Sequence, residues 1–317
     1  MLNRLHAGSG SGACGARLAR MDVLGRLAIH SRLLFERLEY KLDTIKEIFD
    51  RADSNWNMTF FVMFFRTLGD ATNREAFMRL AWNVTCASVL HERSSATAVE
   101  ALLLGASGLL ELYPQDDYIR TLKSEYAHLS HKYSVESMSA SEWNLYRIKP
   151  LNHPVLRLAQ AAAFFTHNEF VCRESLECRT AEDVGRLFCT EASDYWLTHF
   201  TPGNAGSEVP KRIGRTKASL MGINLVAPLQ FAYGRFTADE QMRERAMDLL
   251  ESIEAEDNRY MRRWAAYGVE PANAFDSQAL LQLATAYCDL RRCEECPLGQ
   301  LILEESKQAA EASADRS

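Results

Sequence analysis

Apolar residues along the chain return at helical rather than strand spacing. Between residues 21 and 50, Leu27, Leu34, Leu38, Leu42, Ile45, Ile48 and Phe49 recur among charged residues with no proline and no glycine after Gly25, the pattern of a long amphipathic helix. The same spacing predicts helices over 58–68, 74–82, 96–112, 117–132, 154–166, 181–188, 219–236, 238–255 and 274–289, divided by Gly, Asn, Ser and Pro. No run of period-two alternation bounded by turn signals is found, so a sheet does not organise the chain. The expected fold class is all-α: a single large irregular multi-helix domain over 21–303 with a C-terminal cysteine cluster. A disordered Gly-Ser leader over 1–20 precedes it, and an Ala-, Glu- and Ser-rich tail that frays over 304–317 follows.

Two stretches resist the helical pattern. Around Arg147, Pro150, Asn152 and Pro154 the prolines bias the backbone toward extended or turn conformations, which predicts an ordered loop. Between 201 and 217 the chain is loop-like and basic, with Lys211, Arg212, Arg215 and Lys217 close together. It reads as a solvated charged loop, the alternative being an anion-binding surface.

Composition narrows the classes. With 47% hydrophobic and 25% charged residues the chain has the makeup of a globular protein with a real core. A net charge of −6 and a pI near 5.8 exclude coating of nucleic acid or anionic membrane through the global field, though not a local basic patch. No window approaches the ~18 apolar residues of a membrane span, so no membrane partner is expected. Eight cysteines in a chain of this length are too scattered for a disulfide framework, which points to a reducing, cytoplasmic compartment. The Asn57 and Asn83 sequons are then chance matches.

The sharpest chemical signal is Cys288, Cys293 and Cys296, a C-x4-C-x2-C whose last pair has the gap that lets two thiolates from one tight turn reach one metal ion. Structural zinc and cuboidal iron–sulfur clusters each ordinarily take four ligands, so a fourth must come from elsewhere. His199, Cys172, Cys178 and Cys189 are the candidates, and three thiols that are merely packed or exposed are the alternative. Asn273 is an expected N-cap with Asp276 three positions on. Along that helix Ser277, Leu281, Ala284 and Cys288 share a core-side face, while Gln278, Gln282, Thr285 and Asp289 face solvent or a partner.

Arg147 and Arg157 flank the Pro-Asn-Pro loop, and an arginine pair around a rigid turn can clamp a phosphate or carboxylate, or else bond loop carbonyls. An enzyme reading adds Glu100, Tyr195, His199, Glu256 and Ser277, which include acid, base and hydroxyl types but which no spacing ties together. There is no Gly-rich phosphate loop, no His-Glu-x-x-His and no nucleophile elbow.

Five phrases together carry a resemblance: "EALLLGASGLL" from Glu100, "RIKPLNHPVLRLAQ" from Arg147, "YWLTHF" from Tyr195, "INLVAPLQFAYG" from Ile223 and "NAFDSQALLQLATAYCDLRRCEECPLG" from Asn273. They resemble the helical C-terminal part of a bacterial family, found mostly in Bacteroidetes, known as domain of unknown function 2851. The resemblance runs from about Leu33 to Leu303, and its last phrase is the most specific. It implies no activity, cofactor or substrate. It does imply a further N-terminal region of mixed, strand-rich character, in which case this chain is the partner half of any chemistry residing there. It also favours His199 as fourth ligand, since that residue lies in a shared phrase. Separately, Cys293-Glu-Glu-Cys296-Pro-Leu is similar to the cysteine loop closing many helix-hairpin-helix DNA glycosylases, with Ile302 near the position of their fourth cysteine.

The expected function is a helical interaction or scaffolding domain with a protein or nucleic-acid partner, its C-terminal thiols stapled by zinc or an iron–sulfur cluster. The alternative is an enzyme with an anion-binding site around Arg147 and Arg157.

Overall fold

The structure, a computed structural model, describes residues 12–314, and among them the chain is all-α. In chain order the helices are α1 (Gly12–Ala19), α2 (Val23–Arg51), α3 (Trp56–Leu68), α4 (Arg74–Val84), α5 (Cys86–His91), α6 (Ala96–Ala106), α7 (Asp117–Tyr133), α8 (Pro154–His167) and α9 (Val171–Glu177). There follow α10 (Ala181–Phe188), α11 (Tyr195–Thr198), α12 (Arg215–Met221), α13 (Ala227–Thr237), α14 (Glu240–Ser252), α15 (Arg259–Ala265), α16 (Ala274–Gln282) and α17 (Pro297–Ala314). Extended pairing among the described residues amounts to isolated bridges, Glu191 with Arg212 and His199 with Ala205. No helix among these residues is long and apolar enough to cross a membrane. Two compact units emerge, unit 1 from residues 1–43 and 247–317 and unit 2 from residues 44–246.

Unit 2 is built on aromatic packing. Phe60, Phe61, Phe64 and Phe65 of α3 are fully buried, and Phe64 stacks on Phe164 of α8 at 4.8 Å while Phe61 meets Phe165 at 5.0 Å. Side-chain caps set the helix starts: Asn55 accepts from Met58 N–H, Ser95 from Ala98 N–H, Asp116 from Ile119 N–H, and Thr180 forms a capping box with Asp183. The helix expected over 96–112 stops at Ala106 because Gly108 turns left-handed at φ +72. A Cβ there would stand 2.0 Å from the Met138 carbonyl. The helix expected over 219–236 begins earlier, at Arg215, and opens into a π turn over Gly222–Val226. Pro228 follows directly; it has no N–H to donate and its ring crowds the carbonyl of Asn224, so the wider turn relieves both defects.

The basic stretch over 201–217 is loop-like to Gly214 and mostly exposed, Arg212 and Arg215 included, as expected, but two of its four cations are not solvated. Lys211 and Lys217 are 1% and 6% exposed, because backbone carbonyls surround their ammonium groups: Lys211 Nζ donates to Leu197 O and Val209 O, and Lys217 Nζ to Thr67 O.

Unit 1 corrects both expected ends. Residues 1–11 of the expected leader lie outside the described residues, but residues 12–19 form α1. Cys14 and Leu18 are buried there, and Arg17 Nε donates to Glu305 of α17 at 2.9 Å. The expected fraying tail is helical to Ala314, starting from Pro297, which suits a first helical turn, and from an Ala- and Glu-rich composition that favours helix.

Candidate functional site

The C-terminal thiols lie at the far end of α16. Asn273 caps this helix by accepting from Asp276 N–H at 3.0 Å, as expected, and the helix widens into a π turn over Leu283–Cys288. The chain then turns at Arg291, φ 58, with Arg291 N–H donating to Cys288 O and Arg292 N–H to Tyr287 O. Pro297 starts α17, and the backbone N–H groups of Leu298 and Gly299 donate to the sulfur of Cys296, which partly offsets the rise that burial imposes on its pKa. Gly299 is required here, since a Cβ would stand 2.0 Å from the Cys293 carbonyl.

The fourth thiol of this neighbourhood is Cys14 on α1. Burial pushes Cys288 up to about 12, the nearby Cys296, Cys14 and Cys293 add to the rise, and Arg263 opposes it. Burial likewise lifts Cys14 to about 11, with Cys296 and Cys293 contributing. Burial also leads at Cys296, outweighing its amide donors. The neighbouring Arg292 does not offset this at Cys288, since it is engaged by Glu295 and burial dominates. Among the described residues no three His, Cys, Asp or Glu side chains stand as a metal's ligand set. Neutral thiols pack as small apolar groups, with no charge to hold them at bonding separation.

His199, the expected fourth ligand, belongs to unit 2 and is engaged there. Its Nδ1 lies 2.8 Å from Tyr195 O, and its ring stacks on Tyr195 at 4.0 Å, which in turn stacks on Tyr118 at 3.8 Å. Tyr195 donates to Asp116 at 2.6 Å, and Trp196 Nε1 to the Tyr118 hydroxyl at 3.1 Å. Behind them Glu100, 3% exposed, accepts from Tyr118 and from Ser193 Oγ. The other expected candidates, Cys172, Cys178 and Cys189, are free thiols of unit 2.

The acid, base and hydroxyl types of the enzyme reading thus divide between the units, with Glu100, Tyr195 and His199 in one network and Glu256 and Ser277 in another. In unit 1, Gln278 donates to Glu256 and accepts from Arg37 Nε at 2.6 Å and Lys41 Nζ at 3.2 Å. Gln278 and Gln282 are 2% and 9% exposed, which overturns their expected solvent-facing placement. An amide with both ends satisfied can be buried at little cost. Sequence reasoning also missed His30, 2% exposed, whose Nδ1 lies 2.7 Å from Asp276 Oδ1.

The arginine pair divides too. Arg147 is exposed, in left-handed conformation at φ 54, with its guanidinium over the Tyr146 ring. Arg157 is 6% exposed and donates to Gln160 and Asn152. Gly69, Asp70, Thr72, Arg147, Lys149 and Asn152 line a cavity of about 240 Å³.

A family profile described as a protein of unknown function, DUF2851, matches residues 2–259. The match begins ahead of Leu33 and ends before Asn273, so the phrase expected to be most specific lies beyond it. No curated protein and no solved structure matches the chain.

Proposed function

Because the chain belongs to the DUF2851 family, whose description carries no activity, we propose a function from its own side chains. The chain is an interaction or scaffolding module for a protein or nucleic-acid partner, with unit 1 stapled by zinc or an iron–sulfur cluster on Cys14, Cys288, Cys293 and Cys296. Cys14 takes the place first given to His199.

The observation that carries this reading is the gathering of four thiols from both ends of unit 1, near enough that Cys293 and Cys296 act on Cys14 and that Cys14, Cys293 and Cys296 act on Cys288. A four-thiolate donor set suits tetrahedral zinc and iron–sulfur clusters alike. Leu298 and Gly299 supply the amide donors that steady a ligating sulfur. Binding draws the sulfurs together as it displaces their protons, and because burial has raised the pKa values of Cys14, Cys288 and Cys296, affinity rises with pH. The interaction half is supported by Val23, Leu24 and Leu27, which are 69%, 76% and 46% exposed at the start of α2.

Anaerobically purified protein is expected to carry one equivalent of zinc, or iron with sulfide and a brown colour. Cys293→Ser and Cys14→Ser should each release the metal and lower the melting temperature, since binding energy at a structural site is also folding energy. Metal-free wild-type protein, or unchanged metal content in both variants, rules the staple out.

A further inference from the structure

Two buried cations in unit 2 share one carboxylate. Lys217 donates to Thr67 O at 2.9 Å, to Leu68 O at 3.3 Å and to Asp70. Arg157, buried to the same degree and near enough to depress Lys217, donates to two amide oxygens, Gln160 Oε1 at 2.9 Å and Asn152 Oδ1 at 2.7 Å. Among the described residues its Nε has no partner and its guanidinium forms no ion pair. A buried charge is costly unless paired, so this corner carries positive charge that the chain's own carboxylates leave uncompensated.

The cavity of about 240 Å³ described above lies one hydrogen bond in front of these cations. Its wall includes Asn152, whose amide oxygen is taken by Arg157, so that what the amide has left to offer a ligand is its N–H donors. Arg147 and Lys149 add two exposed cations to the lining, and Asp70 is its one carboxylate, already held by Lys217. Asp70 and Arg147, both in that lining, have φ of 50 and 54, left-handed values that cost non-glycine residues and gather at ligand-binding sites.

We propose that this cavity binds a small phosphorylated compound through its phosphoryl group. Arg147 and Lys149 meet the oxyanion, the Asn152 amide donates to it, and Arg157 holds that amide in place while supplying charge from behind. The volume is below the ~300–1,000 Å³ of sites for drug-sized ligands, which fits a phosphate or a short phosphomonoester. This site rests on unit 2 alone and is independent of the thiol staple.

The test is isothermal titration calorimetry of the full chain at low ionic strength, with inorganic phosphate and with glycerol phosphate in separate titrations. Both should bind if the phosphoryl group is what the cavity recognises, and tighter binding of glycerol phosphate would identify a phosphomonoester as the ligand. The double variant Arg147→Gln, Lys149→Gln should weaken binding about tenfold or more, because charge-assisted hydrogen bonds are lost. Both side chains are exposed, so the phosphate-free melting temperature should not move. Absence of binding by both compounds, or equal affinity in wild type and double variant, would overturn the proposal.

Discussion

Glu100 is a carboxylate enclosed by a tyrosine, a serine and a tryptophan, and its environment sets a stability slope with pH. Burial is the largest influence and raises its pKa above 4.5, with hydrogen bonds from Tyr118, Ser193 and Trp196 pulling the other way. The folded carboxyl therefore keeps its proton to higher pH than the unfolded one. Its stabilising contribution is full below about 4.5 and is lost as pH rises through the folded pKa. Glu100→Gln, neutral at every pH and of the same shape, should remove that loss, so melting temperatures measured across a pH series should fall less steeply above 4.5 than in wild type. An unchanged slope would reject the assignment. Asp276 has the opposite sign. Burial raises it, but the His30 hydrogen bond, the Ala272 N–H, and the charges of His30 and Arg26 together bring it below 3.8, so its contribution is present above that pH and lost below. Asp276 was legible as a residue of a capped first turn, whereas its partner stands 246 positions away and nothing local announces it.

At the scale of elements, the starts of helices were legible and their interior breaks were not. Asn273 was readable as a cap because capping is a contact over three residues. The π turns at Gly222–Val226 and Leu283–Cys288 leave the apolar spacing nearly intact, so both segments read as unbroken helices. Short helices such as α5 and α9 span too few residues for a period to register. Gly105 and Gly108 both sit where an added Cβ would collide, each in a different way. A Cβ at Gly105 would stand 2.1 Å from Cγ of the Tyr126 ring, whereas at Gly108 it would meet the Met138 backbone and add the strain of a left-handed residue. Gly108→Ala should therefore destabilise unit 2 by about 2–4 kcal/mol, strain and overpacking together, and by more than Gly105→Ala. Urea midpoints of the two variants check the order; equal midpoints would contradict it.

Across the whole molecule, helical class was readable because the apolar period runs through the chain, while assembly was not, because it depends on residues far apart in sequence. The three late thiols were visible from their spacing. Cys14 was hidden in a Gly-Ser-rich stretch whose composition argues for disorder. Composition is a local average, and it gives no weight to a single residue that finds a deep place in the fold. Leu18 is such a residue, fully buried on α1, and Arg17 of the same helix bonds Glu305. A disposable leader and an integral helix make opposite predictions for truncation. Removing residues 2–19 from a disordered leader would leave the melting temperature unchanged. Removing them from this fold takes away the buried Leu18 and Cys14 side chains, and truncating one buried leucine alone costs about 2–5 kcal/mol. The milder Leu18→Ala variant should show a loss in that range by urea denaturation and keep its helical circular dichroism. A melting temperature unmoved in both proteins would return this segment to the status of a leader.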